Sequence, residues 1–432
     1  MIDDRVVKIL ASAPSTTLLP NLHRLEWWSD QDSYLPLLQA LLAPTLRSIM
    51  LCSNESKPWG SSFARSALLV SLATRCPHIQ KFVCSYISDF DEHSEFLCET
   101  ICCWSDLAHL ETGVLSTRAL AHLASLPSLK SLHFESCDFF SDMQLLHPNS
   151  LPTFAFELDR TVIGALSLPI LIHCLRNVRF VSCRSVVLRL DDLDLVLSDP
   201  LDIPDFTVSI SECFSSTLEQ LSVVFAGLGS ISKERLVDPP FMLSCHAVTP
   251  LLSFSYLNKV DLSCFCASAI DDAMMKTMAQ SWPLLEKFSI GDGACWLIPP
   301  SLTFTGLVHL IRHCQHLCNI SMPFRASLID RNSEPFSKTT PNVKITDIYV
   351  GNSPIDAAIT MTVACQLHVL LPNLRDVNSF NWEEYYYTDP PTEFERSEVE
   401  WGRVVEFLNV LAEAAEMRQV QVQALQEYSL LA

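Results

Sequence analysis

Apolar residues recur along this chain in one fixed phrase: an apolar position, two variable ones, a second apolar position, one variable residue and a third apolar position. It reads Leu129, Leu132 and Phe134 in LPSLKSLHFESC, Leu175, Val178 and Phe180 in HCLRNVRFVSC, and Leu257, Val260 and Leu262 in FSYLNKVDLSC. Each copy alternates like a short strand and the segments between copies read as helices, so the pattern predicts a stack of strand-and-helix units. The first apolar positions are Leu22, Leu46, Ile79, Leu107, Leu129, Leu151, Leu175, Leu218, Leu257, Leu285, Leu317, Ile345 and Leu374. Most steps are 22 to 33 residues, but Leu175 to Leu218 and Leu218 to Leu257 are 43 and 39. Those two predict insertions or degenerate repeats near 186–255, with Phe206, Val208 and Ile210 of PDFTVSI as a candidate strand.

The intervening helices are legible by their ends. SEFLCETICCW, TRALAHLASLP, DDAMMKTMAQSWP and TFTGLVHLIRHCQHL each lead into a strand, several through a proline that stops the helix. In the last, Leu307, Leu310, Ile311 and Cys314 recur every three or four residues and predict one buried stripe, with Thr303 or Thr305 as the cap. The fold class expected is α/β, a leucine-rich-repeat solenoid with a curved parallel sheet inside and helices and irregular loops outside. It occupies 1–381. Residues 382–432 form an acidic loop and a C-terminal capping helix, entered near Ser397 with Glu400 completing a capping box and with Trp401, Val404, Val405, Leu408 and Leu411 as its apolar stripe. At the other end only Val6 to Leu10 offers a short apolar segment.

In such a solenoid the residues between the apolar anchors of each strand point away from the core, onto the concave face. They include Arg24, Glu26, Trp28, Lys81, His109, Glu111, His133, Glu135, Arg179, Lys259, Asp261, Lys287, Asp347, Tyr349 and Asp376. The set mixes both charges with aromatics and suits a polypeptide ligand better than a phosphate polymer.

Composition narrows the picture. Forty-nine acidic against 29 basic residues give a net charge of -20 with no strong basic run, which argues against nucleic acid. Two acidic stretches stand out, Asp191 to Asp205 and Glu383 to Glu400. Glycine numbers only 10, and neither G-x-G-x-x-G nor G-x-x-x-x-G-K occurs, so nucleotide cradles are not expected. The 17 cysteines lack C-x-x-C pairs, and MIDDRVVKIL does not continue into a signal-peptide core, so a reducing location, cytoplasmic or nuclear rather than secreted, is expected. Cys137 and Cys183 read as small buried residues at strand-to-loop bends, and the sequon Asn54 to Ser56 has no use in the cytosol. The longest apolar candidate, AAITMTVACQLHVLL, is broken by Gln366 and His368, so no membrane span is expected.

Candidate chemistry is sparse. His309, His313, Cys314, His316 and Cys318 are the densest group of potential metal ligands, yet HLIRH places Leu310 where a zinc protease H-E-x-x-H needs its glutamate. G-x-S-x-G is absent. The pairs His173–Cys174 and His313–Cys314 have neighbours pointing to different faces, and Glu383 and Glu384 sit in an exposed loop that would not separate their pKa values. Neither cofactor, metal nor catalytic set is expected, and the chain reads as non-enzymatic.

AIDDAMMKTMAQSWPLLEKFSI and LTFTGLVHLIRHCQHLCNISMPF resemble the repeats of fungal F-box proteins with leucine-rich repeats, particularly those of mushroom-forming basidiomycetes. LPNLRDVNSFNW, the acidic loop after it and the W-x-x-V helix at Trp401 are similar to that family's C-terminal segment. The resemblance runs from Leu19 to about Arg418. It implies substrate recruitment, in which an F-box binds the Skp-type adaptor of a cullin RING ubiquitin ligase and the repeats hold the protein to be modified. Because the first strand begins by Leu22, the F-box itself is missing from the pattern, and an adaptor partner is expected only if one lies upstream. The alternative is a leucine-rich-repeat scaffold or regulator unconnected with ubiquitin, monomeric outside its complexes.

Overall fold

The structure is a computed structural model that describes residues 18–29, 31–52, 63–84, 92–136, 151–190, 202–226, 236–237, 239, 241–294, 296–330, 332, 334–380, 382 and 391–431. The chain forms two compact units, one of residues 1–197 with 209–218, the other of 198–208 with 219–432. The helix Asp202–Cys213 is divided between them.

In the first unit β1 (Arg24–Trp28), β2 (Ser48–Cys52), β3 (Lys81–Cys84), β4 (His109–Val114) and β5 (Ser131–Ser136) pair in parallel in sequence order. A short strand β6 (Thr153–Phe154) follows, then β7 (Arg160–Ala165), which continues the sheet beside β5; β8 (Arg179–Phe180) pairs with β6 and makes a single bridge to Phe214, and β9 (Ser185–Leu190) pairs with β7. Helices Leu35–Leu41, Phe63–Arg75, Glu92–Ile101, Thr117–Ala124 and Leu168–Arg176 make return connections. The second unit repeats the plan with β10 (Gln220–Phe225), β11 (Lys259–Leu262), β12 (Lys287–Ile290), β13 (Asn319–Ser321), β14 (Asp347–Gly351) and β15 (Asp376–Ser379), again parallel and in order. Its helices include Asp272–Ser281, Phe304–His313, Thr360–Leu370 and Thr392–Leu431. This is an α/β leucine-rich-repeat solenoid.

The repeat is a hydrogen-bonded unit as well as a hydrophobic one. One carbonyl ahead of most strands accepts two amides from the next repeat: His23 O from Arg47 N (2.9 Å) and Ser48 N (3.1 Å), Lys130 O from Asp159 N (2.8 Å) and Arg160 N (3.3 Å), Asn258 O from Glu286 N (2.7 Å) and Lys287 N (3.0 Å). That fork satisfies backbone groups that would otherwise be stranded where the chain bends into the strand. Side chains extend it. Thr45 and Ser128, each just before an apolar anchor, donate to the carbonyls of Leu22 (3.0 Å) and Leu107 (2.9 Å), the equivalent anchors one repeat earlier. The anchors Leu46, Ile49, Ile79, Phe82, Leu285 and Phe288 are buried, and each contributes about 1.5–3 kcal/mol on that account.

Helix ends follow the chemistry expected of them. Thr303 Oγ1 accepts from Thr305 N (3.1 Å), and Asp271 Oδ1 accepts from Met274 N (2.8 Å). Asp272 takes both the Thr303 amide (2.8 Å) and hydroxyl (2.6 Å), which ties the start of one helix to the start of the next. Gly291, at φ 71, ends β12 in the left-handed region, and a Cβ there would stand 2.8 Å from that of Ala267.

Three expectations change. The copies at Leu151 and Leu175 do not supply strands of the main sheet; β6 and β8 pair with each other, and β7 and β9 take their places. The anchors there are Leu158, Thr161 and Ile163, then Cys183, Val186 and Leu188, all buried, a phrase disguised by threonine and cysteine at two of its leucine positions. Cys183 is buried in the bend after β8, as expected, and serves also as an anchor ahead of β9; Cys137 lies outside the described residues. PDFTVSI is helical, because Ile203, Phe206, Ile210 and Cys213 make the buried stripe while Val208 is exposed, and Pro204 sits in the first turn where it costs nothing. The C-terminal helix starts at Thr392, which puts Ser397 inside it rather than at its cap, although Trp401, Val404 and Leu408 are buried as the stripe requires. Val6 to Leu10, the sequon and the acidic runs at 191–201 and 383–390 lie outside the described residues. No helix among the described residues is long and apolar enough to cross a membrane.

Candidate functional site

Parallel register lines up the outward residues of successive strands into rows on the open face of each sheet. In the first unit one row runs Arg24, Ser48, Lys81, His109, Ser131, Arg160, and the next runs Glu26, Met50, Val83, Glu111, His133, Val162, Val187. Trp28 is more than half exposed at the end of β1, and Arg24 pairs with Glu26. In the second unit the rows are Gln220, Lys259, Lys287, Asn319, and Ser222, Asp261, Ser289, Ser321, Tyr349, Asn378, with Asp347 beside Asp376. Fourteen of the fifteen expected face residues thus fall on main-sheet strands. Arg179 does not. It sits on β8, where its guanidinium donates to the carbonyls of Leu175, Arg176 and Val178.

A polar cluster that the spacing did not reveal occupies the first unit. Glu135 is buried, and its carboxylate crosses β7 to reach Arg189 Nη2 at 2.5 Å. The crossing needs Gly164: a Cβ there would lie 1.9 Å from Glu135 Oε2. His133 stands between two carboxylates, Nδ1 at 3.5 Å from Glu111 and Nε2 at 3.6 Å from Glu135, contacts of charge rather than hydrogen bonds. Spacing alone places the copy at Leu175 on that strand and so misses Arg189; an isolated glycine in a strand is the available signal of close approach.

Burial opposes the charged form of His133, but the two flanking carboxylates outweigh it and hold the imidazole above its ordinary value of 6.5. Contact with His133 in turn holds Glu111 below 4.5 despite partial burial. The histidine's contribution to stability is therefore full below pH 6.5 and lost as pH rises through its folded value; that of Glu111 is full above 4.5 and lost as pH falls through its folded value. His133→Gln is expected to lose most, about 1 kcal/mol or less because Glu111 is half-exposed, between those limits. Denaturation at pH 5.5 and 8.5 checks this, and an equal loss at both values would contradict it.

In the second unit the face is hydroxyl-rich and forms a shallow groove of about 260 Å³ over Lys259, Asp261, Lys287, Ser289, Asn319, Ser321, Asp347 and Tyr349. Its floor acids are internally satisfied. Asp261 accepts from Ser222 Oγ (3.1 Å) and the Ser263 amide (3.3 Å), while Asp292 accepts from Ser289 Oγ (2.9 Å) and from Ser321 Oγ. Burial pushes the Asp292 carboxyl above the usual carboxylate range, and the two serine hydroxyls pull it partly back.

The histidine and cysteine group lies on the helical side. Rings of His309 and His313 stack at 6.4 Å, and burial lowers both below the usual imidazole value. Cys314 is enclosed and its thiol is pushed up to about 12 by burial; Cys76, at the same repeat position, is raised to about 11. Such thiols stay protonated near neutrality and are poor nucleophiles. Among the described residues, no three histidine, cysteine or acidic side chains converge where a metal could be held.

No family model matches the chain, and no curated protein does. Among solved structures it is similar to the leucine-rich repeat-containing protein LegL7 from Legionella pneumophila, at 13% identity over 93% of each chain with a TM-score of 0.31. It is similar also to the Rad7 and Elc1 complex in yeast, at 14% identity over 90% of this chain and 85% of that one, again with a TM-score of 0.31. The fold assignment rests on the repeated fork and register, not on these likenesses.

Proposed function

We propose that the chain is a protein-recognition module without a catalytic centre of its own, binding polypeptide through the open faces of its sheets. The observation that carries this reading is the contrast within each repeat. The fork recurs in most repeats above largely buried anchors, while the outward rows change from charge to hydroxyl to aromatic, as a binding surface on a rigid support would. The buried thiols of Cys76 and Cys314, raised above the ordinary range, support the absence of catalysis. The described cysteines are free thiols, which favours a reducing compartment, cytoplasm or nucleus. On the same reading, 1–381 is the repeat body and 382–432 closes its C-terminal end. The finer role, holding substrates for a cullin RING ubiquitin ligase, is supported by the repeat wording shared with F-box receptors.

Photo-crosslinking amino acids placed in cells at Lys81 and Asn319 on the open faces, and at Val70 and Met361 on exposed helix positions, test the surface. A recurrent set of linked polypeptides from the first pair alone is the expected result; equal capture from both pairs would refute it. Co-purification of a Skp-type adaptor with the full chain would support the ligase role. Its absence, with open-face links retained, would favour a scaffold.

A further inference from the structure

Lys259 and Lys287 occupy neighbouring parallel strands in direct register, so two ammonium groups share one end of the second unit's groove. Like charges placed opposite each other in a sheet repel. In a chain of net charge -20 an acidic neighbour would be easy to supply, yet neither lysine side chain has an ion-pair or hydrogen-bond partner among the described residues. Three strands further along the same face the sign reverses. Asp347 and Asp376 stand in register on β14 and β15, both exposed, with neutral Asn319 on the strand between the two pairs. The acids beneath are already occupied: Asp261 and Asp292 take hydrogen bonds from serines and a backbone amide.

Resting on the recognition reading above, we infer that this groove takes an extended polypeptide segment bearing an acidic pair and, about four residues away, a basic pair, laid across the strands with its acids on Lys259 and Lys287 and its bases on Asp347 and Asp376. The spacing follows from the sheet. Strands about 4.8 Å apart put the centres of the two pairs about 14 Å from each other, and an extended chain covers that in about four residues at 3.3 Å each. Alternate residues of such a segment face the sheet, so acids at its first and third positions and bases at its fifth and seventh would all point down. An all-acidic ligand meets repulsion at one end of the groove, and an all-basic ligand at the other.

Three heptapeptides, acetylated and amidated to remove their terminal charges, test this against the full chain at low salt. One carries aspartate at positions 1 and 3 and lysine at 5 and 7, with serine between; the second carries four aspartates and the third four lysines. The mixed peptide is expected to bind about tenfold more tightly than either other and to weaken as salt rises. Reversing one pair, Lys259→Glu with Lys287→Glu, should transfer preference to the lysine peptide. Reversing the other, Asp347→Lys with Asp376→Lys, should transfer it to the aspartate peptide, and all four changes together should restore the mixed one. Unchanged thermal melting of these surface variants confirms that they fold. Equal binding of the three peptides, preference for a single-sign peptide by the native chain, or no binding by any overturns the inference. Crosslinks at Asn319 that persist in either two-residue reversal would sink the charge pairing alone and leave the recognition surface standing; crosslinks absent from the native open faces at both Lys81 and Asn319 would sink the recognition reading itself.

Discussion

Replacing Trp282 with alanine is expected to cost about 3–5 kcal/mol, the range for deleting a fully buried tryptophan. Trp282 has no exposed surface, its indole NH donates to Leu251 O at 3.3 Å, and its ring meets Phe288 at a centroid distance of 6.5 Å. It stands three residues before a repeat's first anchor, the position held in the same unit by Phe254, Cys314 and Leu371 and in the first unit by Ala43, Cys76, Trp104 and Leu126, all buried. In each unit a tryptophan at that position has a cysteine beside it in one adjacent repeat. Cys314 donates its thiol to Trp282 O at 3.5 Å, and Trp104 donates its indole NH to Cys76 O at 2.9 Å. Alanine at 282 leaves a cavity the size of an indole, which the small neighbour Cys314 cannot close, and Leu251 O keeps only its bond from the Phe254 amide (3.2 Å). Trp282→Phe keeps most of the volume and should lose less than half as much. Denaturant midpoints for the two variants measure the difference; a loss below about 1 kcal/mol for the alanine variant would show that the site collapses without cost.

Trp401→Ala should have an effect of similar size, about 3–5 kcal/mol, concentrated at the C-terminal end of the second unit. Here the helix Thr392–Leu431 is fastened at Trp401 and Glu400 as well as by Phe394 against Phe380 and Trp382. The Trp401 indole donates to Ser353 O at 2.8 Å and its ring meets Phe324 edge-on at 5.9 Å. Ser353 is itself a hub, with its hydroxyl donating to Val350 O (2.5 Å) and accepting from the Phe324 amide (2.8 Å). Beside it the buried Glu400 carboxylate accepts from Thr360 Oγ1 (2.9 Å) and Arg403 (2.6 Å). Hydrogen exchange should then rise together in residues 392–411 and in β15, because helix and last strand lose a common support. Glu400→Gln preserves shape and should cost only about 1–2 kcal/mol, since half-exposed Arg403 can turn to water. Exchange confined to the helix, with β15 unaffected, would argue against a capping role.

The places where strand reading failed share one physical cause. LPTFAF and HCLRNVRF alternate as well as any main-sheet strand, and alternation states only that one side of a segment is buried. What selects β7 over β6 is the Lys130 carbonyl, which accepts from Asp159 and Arg160. Thr161 can serve as an anchor because its hydroxyl takes a contact from Cys183 Sγ at 3.4 Å, a compensation invisible in either residue alone. PDFTVSI carried both periods at once. Phe206 meeting Phe265 at 6.5 Å belongs to the helical solution.

The face was legible for the same reason the anchors were: in a strand, the residue between two buried ones has only one way to point. That reasoning located Lys81, Glu111 and His133, and Lys259, Asp261, Lys287 and Tyr349, without coordinates. It could not find Arg189 meeting Glu135 over Gly164, which joins residues 54 positions apart and depends on the missing Cβ of a third.

By itself, then, the order of apolar and variable residues determined the repeat, its parallel sheet, the helices between strands and most of the outward positions, because these follow from local periodicity and burial. Tertiary structure alone decided which of several equally alternating segments joined the sheet, which charges found partners and which stayed bare. Those outcomes turn on hydrogen bonds and close approaches between residues distant in the chain, and no local period encodes them.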